Sequence, residues 1–202
     1  MICGTSTGGL IAIMLGRLEM SIDDCISAYV TLSNRILTKQ RPRMSIKGKV
    51  QARFDTAGLQ RGIKEIITQT VLDENALLKS ENGRCKVVVC AVSRESRDVV
   101  HFTSYRSRGS SNLFENTKIW EAARATSAAS SFFNPISIGI YSEEFVDGAT
   151  GAIITLYENY GKKQRSSGLE CLLRVSSASC QLEREFHLWS LLDQNSWKLR
   201  KP

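Results

Sequence analysis

The stretch MICGTSTGGLIAIMLGRL, residues 1–18, decides how the rest of the chain is read. Met1–Cys3 reads as the end of a buried strand. Gly4-Thr5-Ser6-Thr7-Gly8 then fits Gly-x-Ser-x-Gly, the pattern of a serine lifted on a sharp strand-to-helix turn. The spacing has a steric reason: where strand and helix pass closely, the neighbours of the serine cannot carry bulky side chains. The turn also puts the hydroxyl at a helix N-terminus, where backbone N–H groups favour developing negative charge. Residues 7–18 follow, apolar nearly all round at Leu10, Ile11, Ile13, Met14, Leu15 and Leu18, as suits a helix buried inside a domain. The plainer reading of the pentapeptide is a Gly/Ser/Thr helix cap.

Working outward, Ser21 and Asp24 form a helix-start capping pair. Ile22, Cys25, Ile26, Tyr29, Leu32, Ile36 and Leu37 then fall on one face of an amphipathic helix. Residues 39–54 are basic and aperiodic, which reads as a surface loop. Leu59, Ile63, Ile66, Ile67 and Val71 make a further helical stripe, with Asp55 or Thr56 as its N-cap. KVVVCAVS, residues 86–93, is a β-branched run of strand length, and residues 99–105 supply a second strand, paired as a hairpin. Residues 119–129 are helical and alanine-rich. Phe145 and Val146 lead a short strand into Asp147-Gly148. Strands alternating with helices predict an α/β three-layer sandwich with a mostly parallel central sheet.

Composition removes several alternatives. The chain has 202 residues, 42% hydrophobic and 23% charged, so it can bury a core without metal or disulfide staples. No apolar run approaches the roughly 18–20 residues of a membrane span. The net charge of +7 is spread along the chain, and no aromatic–basic interleaving accompanies it, so no nucleic-acid partner is expected. Lys39, Arg41, Arg43, Lys47, Lys49 and Arg53 could meet anionic head groups, although a solvated charged loop is the simpler account. Six cysteines lack zinc-ligand spacing, and only His101 and His187 could join them, so no metal and no cofactor are expected. The cysteines read as reduced thiols of a cytoplasmic protein without a signal peptide, able to touch membranes peripherally.

A serine hydroxyl needs a base. Ser6, Asp147 and His187 stand in the chain order of an α/β-hydrolase triad. His101 lies within a strand, where histidine more often packs than reacts. Asp147 sits at a strand end, where a partly buried carboxylate can take a serine proton directly. Its plainer reading is an Asp-Gly turn residue.

GTSTGGLIAIMLGRL, IWEAARATSAASSFF and FVDGATGA, in this order, resemble the patatin-like phospholipase family, most of all its fungal members. The helix SIDDCISAYVTLSNRIL and the strand pair KVVVCAV and VVHFTSYRS are similar as well. The resemblance covers about residues 1–151. It implies a serine acyl hydrolase that cleaves fatty-acyl esters of phospholipids and other lipids through a Ser–Asp dyad, without metal. Ser6 matches the nucleophile within Gly4, Thr5, Thr7 and Gly8. Asp147 matches the base, within the Asp-Gly-Ala motif of Gly148 and Ala149. The implied partner is a lipid or phospholipid substrate. Ala122, Ala123, Ala125, Ala128 and Ala129 would let their helix lie close against the nucleophile helix.

Three departures qualify the resemblance. The family's glycine-rich oxyanion loop and first strand precede the nucleophile strand, and this sequence begins after them; the expectation is an N-terminally truncated fragment. Ser130 stands where relatives often carry proline. After Ala152 the family usually continues Asn-Asn-x-Pro, whereas Ile153-Ile154-Thr155-Leu156 follows here, and a one-base-shifted reading of codons for this string can encode Asn-Asn-His-Pro. The expected organisation is therefore a partial patatin-like domain over 1–152 and a divergent segment over 153–202, read in a shifted frame or poorly folded. The gene sequence checks this directly. The rival to a working enzyme is a catalytically incompetent fragment that at most binds lipid.

Overall fold

The computed structural model describes residues 1–37, 52–80, 83–106, 112–130 and 132–148. Five strands form one sheet: β1 (Ile2–Thr5), β2 (Val87–Ser93), β3 (Val99–Thr103), β4 (Ile136–Ile138) and β5 (Glu143–Asp147). Around it lie α1 (Thr7–Ala12), α2 (Ile22–Leu37), α3 (Thr56–Gln69), α4 (Asn112–Asn116) and α5 (Ile119–Thr126). The α/β sandwich expected from the alternation is present. Its sheet is mixed rather than mostly parallel. β1 runs parallel to β2, whereas β3 and β5 pair with β2, and β4 with β5, in antiparallel fashion. For two of the three antiparallel pairs the reason is local: β2–β3 and β4–β5 are joined by short turns, which reverse the chain, whereas β5 reaches β2 through a long connection.

β2 is the centre. Val87 to Ala91 are wholly buried. With alternate side chains pointing to opposite faces, Val87, Val89 and Ala91 join the main core, while Val88 and Cys90 pack with Cys3 in a smaller cluster on the other face. The main core takes Leu10, Ile13 and Met14 from the first helical segment, Leu32 and Ile36 from α2, Ile63 and Ile67 from α3, and Ile119, Ala122 and Ala123 from α5. One sheet face thus carries four helices whose apolar stripes converge.

The cap read at the start of α2 lands where expected. The Ser21 hydroxyl accepts the Asp24 N–H at 3.1 Å and donates to its carboxylate at 2.6 Å, which starts α2. The helix after Ser6 departs from its expected form. It is α-helical only to Ala12 and continues as a π-helical turn over Ile13–Arg17, where the Leu18 N–H donates to the Ile13 carbonyl at 2.9 Å. Wide turns of this kind occur as short insertions within α-helices. Arg17 closes the turn by donating to the carbonyls of Leu78 at 2.8 Å and Leu77 at 2.9 Å.

Candidate active site

The register of β2 builds the site. β3 covers one edge of β2 from Val88 to Val92, so β1 and β5 must share the other. β1 runs parallel and ends with Thr5 opposite Cys90; β5 runs antiparallel and ends with Asp147 opposite Ala91. Their C-terminal ends therefore meet head to head at adjacent positions of a buried strand. Ser6, the next residue after β1, donates its hydroxyl to Asp147 Oδ2 at 2.6 Å. Both side chains are half-buried.

Ser6 occupies the N-cap position of α1, yet its hydroxyl makes no capping bond to the helix. The helix-cap reading of the pentapeptide thus accounts for its place but not for its side chain. The backbone there has φ 54° and ψ −133°, a region essentially restricted to glycine and strained for any other residue. The surroundings enforce it. A Cβ on Gly4 would lie 2.1 Å from the Gly8 carbonyl oxygen, so strand and helix cross in direct backbone contact, as the glycine spacing predicts. The Thr7 hydroxyl lies 3.3 Å from that of Tyr29 on α2, and Thr5 Oγ1 reaches the Cys90 carbonyl at 3.5 Å. Gly148 follows Asp147 in a buried position, while Ala149 lies outside the described residues.

Sequence reasoning missed what the end of α5 does. The Ser6 N–H donates to Thr126 Oγ1 at 2.8 Å, and the Asp147 N–H to the Ala128 carbonyl at 3.0 Å. Of the five alanines read as a close-packing surface, Ala122, Ala123, Ala125 and Ala128 are buried and Ala129 is half-buried, the last two lying beyond the end of α5 at Thr126. The threonine among them was the available signal, since a polar side chain within an alanine-rich face must find a partner. Arg124 is buried too; it donates to the Asn134 carbonyl at 2.9 Å, and burial brings its pKa down to about 10.

His101, the one histidine among the described residues, stands away from Ser6. His101 pairs with Cys90 on β3, so β2 separates it from β1, and His187 lies outside the described residues. Cys3, Cys25, Cys85 and Cys90 are free thiols, and burial pushes Cys3 up to about 11, which keeps it protonated and unreactive. No group of three or more His, Cys, Asp or Glu side chains converges as a metal site among the described residues. No helix among them is long and apolar enough to cross a membrane. The basic run from Lys39 to Lys49 and the segment 153–202 lie outside the described residues.

A strained serine between strand and helix, with a carboxylate on its hydroxyl, is the arrangement from which elbow-type serine hydrolases work. Residues 1–160 match the patatin-like phospholipase family, and the chain belongs to it. Lipid acyl hydrolysis is accordingly the chemistry of its family. The chain is 28% identical over 149 residues to the calcium-independent phospholipase A2-gamma of Oryctolagus cuniculus and to that of Mus musculus, and 26% identical to that of Homo sapiens. Each match covers 68% of this chain and 18% of the relative, so the chain spans under a fifth of those proteins. Among solved structures, VipD from Legionella pneumophila aligns over 70% of this chain and 24% of its own, with 14% identity and a TM-score of 0.27.

Proposed function

We propose that this chain is a serine acyl hydrolase of phospholipase A type, cleaving fatty-acyl esters of phospholipids through Ser6 and Asp147. The observation that carries the reading is the 2.6 Å hydrogen bond from the Ser6 hydroxyl to Asp147 Oδ2 at a strained elbow. The family match and the likeness to calcium-independent phospholipases A2 support the substrate class.

The steps follow from that contact. Ser6 Oγ attacks the ester carbonyl carbon as Asp147 Oδ2 takes its proton. The tetrahedral intermediate collapses, the carbonyl–alkoxy bond breaks, and the lysolipid alcohol leaves with the proton held on Asp147. The acyl group is then an ester of Ser6. Water attacks that ester while Asp147 accepts a proton, the Ser6 oxygen leaves and is reprotonated, and a fatty acid is released. Asp147 serves both half-reactions because one carboxylate oxygen can take and return one proton.

Fluorophosphonate labelling of the purified chain, located by mass spectrometry, tests the proposal. Labelling confined to Ser6, lost in Ser6→Ala and strongly slowed in Asp147→Ala, is the expected result. A chain that circular dichroism shows to be folded, but that takes no label, would mean that the dyad is not a working one.

A further inference from the structure

The hydroxyl of Ser6 faces Asp147, but its backbone is held from the other side. The Ser6 N–H stands where the β1 ladder has ended at Thr5 and has no helical partner, because the first N–H groups of a helix lack one. Thr126 Oγ1 accepts it at 2.8 Å, from a side chain 120 residues away that is fully buried. Room for this contact is made inside α1 itself. A Cβ on Gly9 would stand 2.6 Å from Thr126 Oγ1 and 2.7 Å from its methyl carbon, so glycine fits here although helix propensity favours alanine. Two residues further along the same chain end, the Ala128 carbonyl takes the N–H of Asp147 at 3.0 Å. Residues 126–128 therefore grip the backbones of both members of the pair.

We infer that Thr126 is a positioning residue for Ser6: by accepting its N–H, it holds the strained backbone that aims Oγ at Asp147. The physical reason is that a strained φ/ψ persists only where its surroundings over-determine it. Without an acceptor, the peptide between Thr5 and Ser6 can rotate toward extended geometry and swing the hydroxyl off the carboxylate. Threonine suits the task because two heavy atoms on Cβ restrict χ1 and so fix the direction of Oγ1. Thr126 acts through Ser6 and not on substrate. Its effect on rate rests on the proposed role of Ser6; the contact itself does not.

Thr126→Val keeps the shape and deletes the acceptor, whereas Thr126→Ser keeps the acceptor. Gly9→Ala leaves the threonine in place and pushes it off Ser6, which supplies a second route if the valine variant fails to fold. Two readouts apply to each folded variant: hydrogen exchange of the Ser6 amide by NMR, and fluorophosphonate labelling resolved into a saturating rate and a half-saturating probe concentration. In Thr126→Val and Gly9→Ala, Ser6 amide protection should be lost. The saturating rate should fall by about 10²-fold, the scale for a misplaced reacting group, with little change in half-saturation. Thr126→Ser should restore both readouts. Retained Ser6 protection in Thr126→Val, an unchanged saturating rate, or a serine variant as slow as the valine one would overturn the inference. If the wild-type chain takes no label at Ser6, the acyl-hydrolase reading falls instead, and amide exchange still decides whether Thr126 holds Ser6.

Discussion

Ser6 and Asp147 lie 141 residues apart in the chain, and the 2.6 Å bond between their side chains is set by one buried strand. β1 stops opposite Cys90 and β5 stops opposite Ala91, so consecutive residues of β2 bring the serine and the carboxylate together. Neither residue depends on a long loop for its position. A one-residue slip of β5 would turn Asp147 to the opposite face of the sheet, and with Ala91 and Phe145 completely buried the register has little freedom to slip.

Asp147→Asn preserves the shape of this contact and removes the proton acceptor. Turnover of a soluble chromogenic ester should fall by about 10²–10⁴-fold, the usual worth of a general base, while the thermal midpoint stays within a few degrees. A variant that kept a third or more of wild-type turnover would exclude Asp147 as the base.

His101 gives a stability effect separate from catalysis. Burial lowers its pKa below 6.5. From about pH 6.5 downward the unfolded chain therefore takes up a proton that the folded chain resists. Stability is full above that pH and declines as the pH falls from 6.5 toward the depressed value. Thermal midpoints between pH 7.5 and 5 should drop in the wild type and flatten in His101→Gln. Turnover at pH 7.5 should be unchanged in His101→Gln and in His187→Ala, since the proposed mechanism passes the Ser6 proton to Asp147.

Gly4→Ala tests the strand–helix crossing. Its Cβ would sit 2.1 Å from the Gly8 carbonyl oxygen, and backbone on both sides leaves nothing flexible to yield. A loss of about 3 kcal/mol, at the upper end of ordinary overpacking, is expected in urea unfolding. A loss under 1 kcal/mol would mean that the elbow can open.

Val71 offers a stabilising change. It follows the Thr70 C-cap of α3 with φ 64°, and it is 96% exposed. A β-branched side chain in left-handed backbone is strained, and glycine is the usual residue just past a helix end. Val71→Gly should add about 0.5–1 kcal/mol, read as a higher thermal midpoint with no change in ester turnover.

Much of this was legible in the linear pattern, and the misses share one cause. Ser21 with Asp24 marked the start of α2 because capping is local chemistry between residues three apart. Cys25, Leu32 and Ile36 are buried as their spacing requires, but Ile22 and Ile26, placed on the same stripe, are 69% and 57% exposed. Periodicity shows that a side is apolar, not how far the neighbouring helix extends over it. Val71 matched the α3 stripe by spacing, yet the helix ends at Gln69. The direction of β5 against β2 was equally beyond a local pattern, since a buried run such as VVVCAVS is apolar on both faces whichever way a distant neighbour runs.

The sequence by itself determined the elbow, because Gly4, Ser6 and Gly8 answer a steric demand within five residues. It also marked Asp147 at a strand end and the small-residue surface of α5, both properties of short windows. Only the tertiary structure decided that β1 and β5 share one edge of β2 and meet at Cys90 and Ala91. It alone brought Thr126 to the Ser6 N–H. Those relations join residues more than a hundred positions apart, and their geometry comes from strand register and helix packing, which no local spacing encodes.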